Sequence, residues 1–256
     1  MAKGQAGADS SSPVSTTVQG KNLVELAYDQ FEEYPVLWGR YFTSVSTTGS
    51  VEYRHAEENP ILAQYNIRLL PVARQTTHVG GSEQQGATDA QNNVVDVIDT
   101  FGADYLASQG GAFMMFLDVE GSPSTGSPSL SVDYYNGWAQ TLIGYSRSFS
   151  NGAVTIMPCV YARQGDNDTW NALVTAGNQG SQCSGAWVAR YYYSGCDMTD
   201  WSDSIVQPSV SLPFDVLIWQ YAENCAQGTI DCNQTNPNID IETALLQKLI
   251  LPPAST

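Results

Sequence analysis

The chain has 256 residues, of which 42% are apolar, enough for one sizeable core, and its 22 glycines and 12 prolines suit an ordinary globular protein. Ten basic against 26 acidic side chains give a formal net charge of −16. That balance excludes a nucleic-acid surface built on clustered Lys and Arg, and it makes a neutral or cationic substrate easier to attract than an anionic one. No run approaches the roughly 18 consecutive apolar residues of a membrane span.

Residues 1–20 are mostly small and polar and contain no apolar h-region, so they read as a disordered leader and not as a signal peptide, leaving 21–256 as a single domain. Apolar runs rich in β-branched and aromatic residues then recur as Leu23 to Tyr28, Val36 to Phe42, Ile67 to Ala73, Ala112 to Leu117, Ala153 to Tyr161, Gly185 to Tyr192 and Val216 to Tyr221, with a weaker eighth around Thr229 to Cys232. Helical spacing appears between them at Ala90, Val94, Val95, Ile98 and Phe101, and again at Val132, Tyr135, Trp138, Ala139, Leu142 and Tyr145 behind a Ser131 cap. The segment Ser122 to Ser129 reads as an exposed loop.

Strands alternating with helices need a parallel sheet covered by helices, and eight such strands in this length predict a closed α/β barrel of the TIM type. The regularity fails late in the chain. Tyr221 to Gly228 is too short for a helical crossover, so the expected barrel is irregular, with about five helices and three nearly bare final strands, the eighth antiparallel or frayed. A last helix capped by Asp240 is expected to close the base through Leu245, Leu246 and Ile250.

Five cysteines leave at least one thiol unpaired. If Gly185 to Tyr192 is a strand, it spans about 26 Å at ~3.3 Å per residue, which carries Cys196 out of reach of Cys183. Cys225 with Cys232 closes a short loop and is the better pair. No Cys-x-x-Cys or Cys/His cluster points to zinc, and neither His55 nor His78 sits in a metal-ligand motif, so no metal or other cofactor is expected.

The chemistry concentrates at the end of the fourth strand, where Phe116-Leu117-Asp118-Val119-Glu120-Gly121 interrupts an apolar run with two carboxylates. Side chains alternate along a strand, so Asp118 and Glu120 face one way and Val119 the other. At a barrel mouth two neighbouring carboxylates repel, and one is pushed toward its protonated form. That division, an acid beside an anion, is what glycoside hydrolysis needs. Polar residues at other strand ends are candidates to join them: Asp29, Arg40, Arg74, Tyr161, Asp231 and Asn233, with Trp187, Trp219 and Tyr221 as an aromatic floor for a sugar. Each also has an ordinary structural role open to it: a cap for Asp29, a turn for Asp231, ion pairs inside the barrel for the arginines, and core packing for the aromatics.

Leu117-Asp118-Val119-Glu120, Val160-Tyr161, Ala186-Trp187-Val188-Ala189-Arg190-Tyr191, Ile218-Trp219-Gln220-Tyr221 and Ile230-Asp231-Cys232-Asn233 occur in the order seen in glycoside hydrolase family 25, the lysozyme-type muramidases, which the chain resembles from about Leu23 to Asn233. Its first half, with Gly39-Arg40-Tyr41 and Leu69-Leu70-Pro71-Val72, looks more like the related glycoside-hydrolase-like domains of unknown function, the family numbered 1906. The resemblance implies an irregular barrel, Glu120 as the acid, with its carboxyl expected to be the raised one, Asp118 as its partner carboxylate, expected to meet an arginine and stay ionised, and Asp29 and Asp231 as further carboxylates of the cleft. Where those muramidases carry Tyr-His-Phe at the end of the third strand, this chain has Ala73-Arg74-Gln75. It further implies a secreted or extracytoplasmic protein whose partner is a cell-wall or other extracellular polysaccharide. The alternatives are an inactive glycan-binding barrel and a metal-dependent phosphodiesterase with Mg²⁺ or Ca²⁺ at the acidic mouth.

Overall fold

The computed structural model of the protein describes residues 2–43, 51–121 and 126–254, so part of the loop expected at Ser122 to Ser129 lies outside the described residues. In chain order the elements are β1 (Ala6–Asp9), the small hairpin β2 (Thr17–Val18) and β3 (Lys21–Asn22), α1 (Leu23–Phe31), β4 (Leu37–Phe42), α2 (His55–Gln64), β5 (Arg68–Ala73), α3 (Glu83–Phe101), α4 (Ala103–Ser108), β6 (Ala112–Val119), α5 (Val132–Phe149), β7 (Thr155–Arg163), α6 (Asn167–Asn178), β8 (Ala186–Ala189), β9 (Val216–Asn224) and β10 (Ile230–Thr235). Eight of the strands close a barrel in the order β1-β10-β9-β8-β7-β6-β5-β4.

The irregular α/β barrel is as expected. Long helices α1, α2, α3, α5 and α6 cover the strand connections up to β8, after which only the single turn Asp203–Val206 precedes β9. A tight turn over Cys225–Gly228, with Asn224, Ala226, Gln227 and Gly228 all at positive φ, reverses the chain. Because that turn leaves no room for a crossover, β10 runs antiparallel to both β9 and β1, whereas β1 pairs with β4, and β4 through β9 pair in turn, in parallel. Leu245, Leu246 and Leu249 plug the base of the barrel against the inward cluster of Leu37, Leu70, Met114, Phe116 and Cys159. The helix expected after Asp240 is only the turn Ile241–Ala244 followed by a 3₁₀ turn.

The first strand departs from expectation. Leu23 to Tyr28 is helix α1, not a strand: Asn22 and Glu25 form a reciprocal capping box, and Leu23, Val24, Leu26 and Ala27 are its buried face, which is helical spacing. The strand lies instead at Ala6–Asp9, inside the segment expected to be a disordered leader, and all four of its residues are buried. Small residues are needed there. A Cβ on Gly7 would come within 2.8 Å of Leu37 Cδ1, and one on Gly4 within 1.7 Å of the Thr235 carbonyl oxygen.

The disulfide also differs from expectation. Cys225 pairs with Cys196, 29 residues away, while Cys232 is a buried free thiol facing Ala222 across the β9–β10 ladder. The bond fastens the long β8–β9 connection to the turn before β10. For a loop of this size a cross-link contributes about 3 kcal/mol through the unfolded chain, so a Cys196→Ser, Cys225→Ser variant should unfold at a clearly lower denaturant concentration than the oxidised protein. Coincident unfolding curves would show that the bond contributes nothing.

Candidate active site

One end of the barrel, where the parallel strands present their C-terminal ends, carries a pocket of about 100 Å³. Alternation decides what enters it. On β6, Met114 and Phe116 point into the barrel and Asp118 continues that row, while Met115, Leu117 and Val119 pack outward under the helices. Glu120, just beyond the strand, follows Asp118 onto the pocket wall but is itself exposed. Asp9 arrives from the end of β1 and Asp231 from β10, where the two are direct partners in the antiparallel register. Glu223 from β9 is the fifth carboxylate of the wall. Tyr41, Tyr161, Trp187 and Tyr191 supply its aromatic surface, and Gly39 leaves space, since a Cβ there would lie 2.8 Å from Asp9 Cβ.

A hydrogen-bond network holds the floor. Gln220 Nε2 donates to Asp9 Oδ1 at 3.4 Å and to Asp231 Oδ2 at 3.2 Å, while its Oε1 accepts from the Tyr161 hydroxyl at 2.6 Å and the Tyr191 hydroxyl at 3.0 Å. Asn233 Nδ2 donates to Asp9 Oδ1 at 2.7 Å, and Trp187 Nε1 donates to Asn233 Oδ1 at 2.8 Å. The Asn224 amide donates to Asp231 Oδ1 at 2.8 Å. Asp118 stands apart from all of this: both of its oxygens are buried and neither has a hydrogen-bond partner among the described residues.

Asp118 was expected to stay ionised, but burial, the first cause, raises its carboxyl well above the ordinary aspartate range, the Glu120 charge adds to it, and the Arg74 charge opposes it without prevailing. Burial likewise raises Asp9 well above that range, reinforced by Asp231 and opposed by the bonds from Asn233 and Gln220. Asp231 is raised by burial, against the pull of the Asn224 amide. The sign for stability follows directly. In the native state these groups keep protons that the unfolded chain has released, so their contribution is complete below the unfolded pKa and is lost as pH rises through the folded one. Denaturation midpoints should therefore fall from mildly acidic to neutral pH, and the fall should be shallower in Asp118→Asn. A midpoint that rises over that interval would contradict this.

The candidates named from sequence are divided by these positions. Asp118, Glu120, Asp231, Tyr161 and Trp187 reach the pocket. Arg74 sits beside it with its guanidinium over the Tyr41 ring, 5.2 Å from the centroid, and Asn233 lies beneath it, fully buried as a support for Asp9 and Trp187. The other four do not line it. Asp29 is on the exposed side of α1, paired with Lys21, because the run that was expected to be a strand is a helix. Arg40 faces outward from β4 and is buried against Glu58 of α2, with Nε at 2.8 Å from Oε2. Trp219 and Tyr221 flank the inward Gln220 and so pack outward, Trp219 edge-on to Trp201 and Tyr221. Sequence reasoning missed Asp9, Tyr41, Tyr191, Gln220 and Glu223. Alternation applied to β9 would have found Gln220, and a run of small residues ending in Asp marks Asp9.

Beyond the pocket an open groove of about 830 Å³ runs past Ser129, Gln164, Asp166 and Arg190, sharing Arg163, Tyr191 and Glu223 with the pocket itself. Among the described residues no group of three or more His, Cys, Asp and Glu side chains is arranged to hold a metal ion, and no helix is long and apolar enough to cross a membrane.

Fold and mouth together define an eight-stranded α/β barrel with a carboxylate-rich, aromatic-walled pocket opening into a groove. No protein-family model and no curated protein sequence matches the chain. Solved structures do. An uncharacterized protein of B. stearothermophilus is 20% identical at a TM-score of 0.71, covering 96% of this chain and 100% of its own. The catalytic domain of an endolysin from a bacteriophage of Listeria monocytogenes is 18% identical at a TM-score of 0.51, covering 96% and 98%. A Tat-secreted protein of Mycobacterium tuberculosis, solved in complex with HEPES, is 14% identical at 0.50, covering 91% and 95%. At these identities the likeness is one of fold.

Proposed function

We propose that the chain is a glycoside hydrolase acting on a cell-wall or other extracellular polysaccharide. The observation that carries this reading is the placement of Asp118 near the end of β6 and Glu120 just beyond it, two residues on, as a buried and an exposed carboxylate on the wall of one pocket. Glu120 donates its proton to the glycosidic oxygen, the bond from that oxygen to the anomeric carbon breaks, and positive charge develops on the sugar. Asp118 answers that charge. The proton that burial keeps on Asp118 in the free protein passes to Glu120 as the sugar binds, and the carboxylate left on Asp118, desolvated and without a partner among the described residues, is compensated only as the cation forms, so the interaction is stronger in the transition state than in the ground state. Water supplies the new hydroxyl on the sugar, and its remaining proton restores Glu120.

Asp9 and Asp231, rather than Asp29, complete the anionic surround, and Gln220 and Asn233 hold them in place. The groove offers length for further sugar units, as a polymer requires. The endolysin catalytic domain of the same fold supports a cell-wall substrate, and the Cys196–Cys225 bond suits an oxidising, extracytoplasmic setting. The test is release of reducing ends from purified cell walls and extracellular polysaccharides. Wild type should cleave at least one of them, and Glu120→Gln should lose on the order of 10²- to 10⁴-fold in rate while still binding the same glycan. A folded wild type inert on all of them, or a Glu120→Gln variant of undiminished rate, would leave a barrel that binds glycans without cleaving them.

A further inference from the structure

The polar groups of the pocket are unequally engaged. Three of its neutral donors are held internally: the Tyr161 and Tyr191 hydroxyls donate to Gln220 and the Trp187 indole N–H to Asn233, whose own amides donate to Asp9 and Asp231. What else faces the cavity is mostly carboxyl oxygen, from Asp9, Asp118, Glu120, Glu223 and Asp231, against one lining cation, Arg163, and Arg74 beside it, and the protons that burial keeps on Asp9, Asp118 and Asp231 leave when a cation enters. Asp118, 2% exposed, brings two oxygens with no partner among the described residues. A ligand that satisfies this surface must donate hydrogen bonds and carry positive charge.

We infer that the pocket selects a sugar unit bearing a free, protonated amine, a de-N-acetylated hexosamine, with the ammonium group on Asp118. An ammonium offers three donors and no acceptor, which matches the two unpartnered oxygens and one neighbouring carboxylate. An acetamide in the same place would turn a carbonyl oxygen toward carboxylates and demand more of a cavity of about 100 Å³. A metal ion is the poorer occupant because no three of the described acidic, His or Cys groups are arranged to ligate one. The inference rests on the glycosidase reading for the sugar but concerns which sugar the site holds.

Binding, measured separately from turnover, tests it. Isothermal titration of the whole protein at mildly acidic pH compares a tetramer of β-linked glucosamine with its fully N-acetylated counterpart and with a neutral glucose tetramer. The amine form should bind at least about tenfold more tightly than either, a difference of about 1.4 kcal/mol, and should release protons to the buffer as Asp118 ionises. That preference should shrink to about threefold or less in Asp118→Asn and should weaken with added salt. Asp231→Asn, on a side chain that is not fully enclosed, is the second variant and should reduce the preference in part. Equal or weaker binding of the amine form, no binding of any tetramer, or a preference unchanged in Asp118→Asn would overturn the inference. Tight amine binding without cleavage of any polysaccharide would keep it and reject the hydrolase reading instead.

Discussion

Replacing Asp118 by Asn is expected to cut sugar release by on the order of 10²-fold or more while making the protein harder to unfold at neutral pH. The two effects have one cause. In the free protein the Asp118 carboxyl is buried with neither oxygen bonded among the described residues, and an ionised group in that position has lost its water without gaining a partner there. Asn keeps the shape and removes the charge, so the desolvation cost of the anion disappears from the native state. The same charge is what the developing oxocarbenium centre needs, and Asn cannot supply it. Rate and stability should therefore move in opposite directions, a combination that damage to the fold does not produce. Parallel denaturation and reducing-end assays on the variant check it, and a variant that loses stability together with activity would show Asp118 to be a structural residue.

Glu58→Ala is expected to destabilise the protein by about 3–5 kcal/mol, the largest loss from any single side chain considered, although Glu58 lies outside the pocket. Arg40 and Glu58 are both fully buried between β4 and α2, with guanidinium Nε at 2.8 Å and Nη2 at 3.1 Å from the two carboxylate oxygens. Glu58 also accepts the Val14 amide at 3.0 Å and the Arg54 amide at 2.8 Å, and Arg40 donates to the Ser10 carbonyl at 2.7 Å. Truncating Glu58 strands a buried cation and two backbone donors together. Because Arg40 points away from the pocket, the folded fraction of Glu58→Ala should keep its KM. A raised KM in folded protein would return Arg40 to the binding site, where its position in Gly39-Arg40-Tyr41 had placed it.

Arg40 and Asp29 show where local reading stops. A polar residue at the end of an apolar run is equally consistent with a strand end at the mouth, a buried ion pair behind the sheet, and the exposed side of a helix. For Leu23 to Tyr28 the capping box at Asn22 and Glu25 and the spacing of Leu23, Val24, Leu26 and Ala27 favoured the helix. Counting that run as the first strand hid the real one, because Ala6, Gly7 and Ala8 carry too little side chain to register as a core segment. The same strictness that makes them small, a backbone pressed against Leu37 and Asn233, makes their position definite in three dimensions. Trp219 and Tyr221 were misplaced for a simpler reason. Aromatic character drew them toward a sugar floor, while period-two alternation around Gln220 already turned them outward.

By itself, the sequence determined the class of fold and the pairing of Asp118 with Glu120 on one side of the barrel. Hydrophobic run length, the spacing of the helices α3 and α5, and connections too short for a crossover are local properties, and they were enough for an irregular barrel with bare final strands; Asp118 and Glu120 share a side because Glu120, just past the end of β6, keeps its two-residue alternation. Only the tertiary structure decided which carboxylates join that pair, which cysteines meet, and whether Asp118 has a partner. Those depend on contacts between β1 and β10, more than 220 residues apart in the Asp9–Asn233 bond, and on burial, which is set by everything packed around a group and not by its neighbours in the chain.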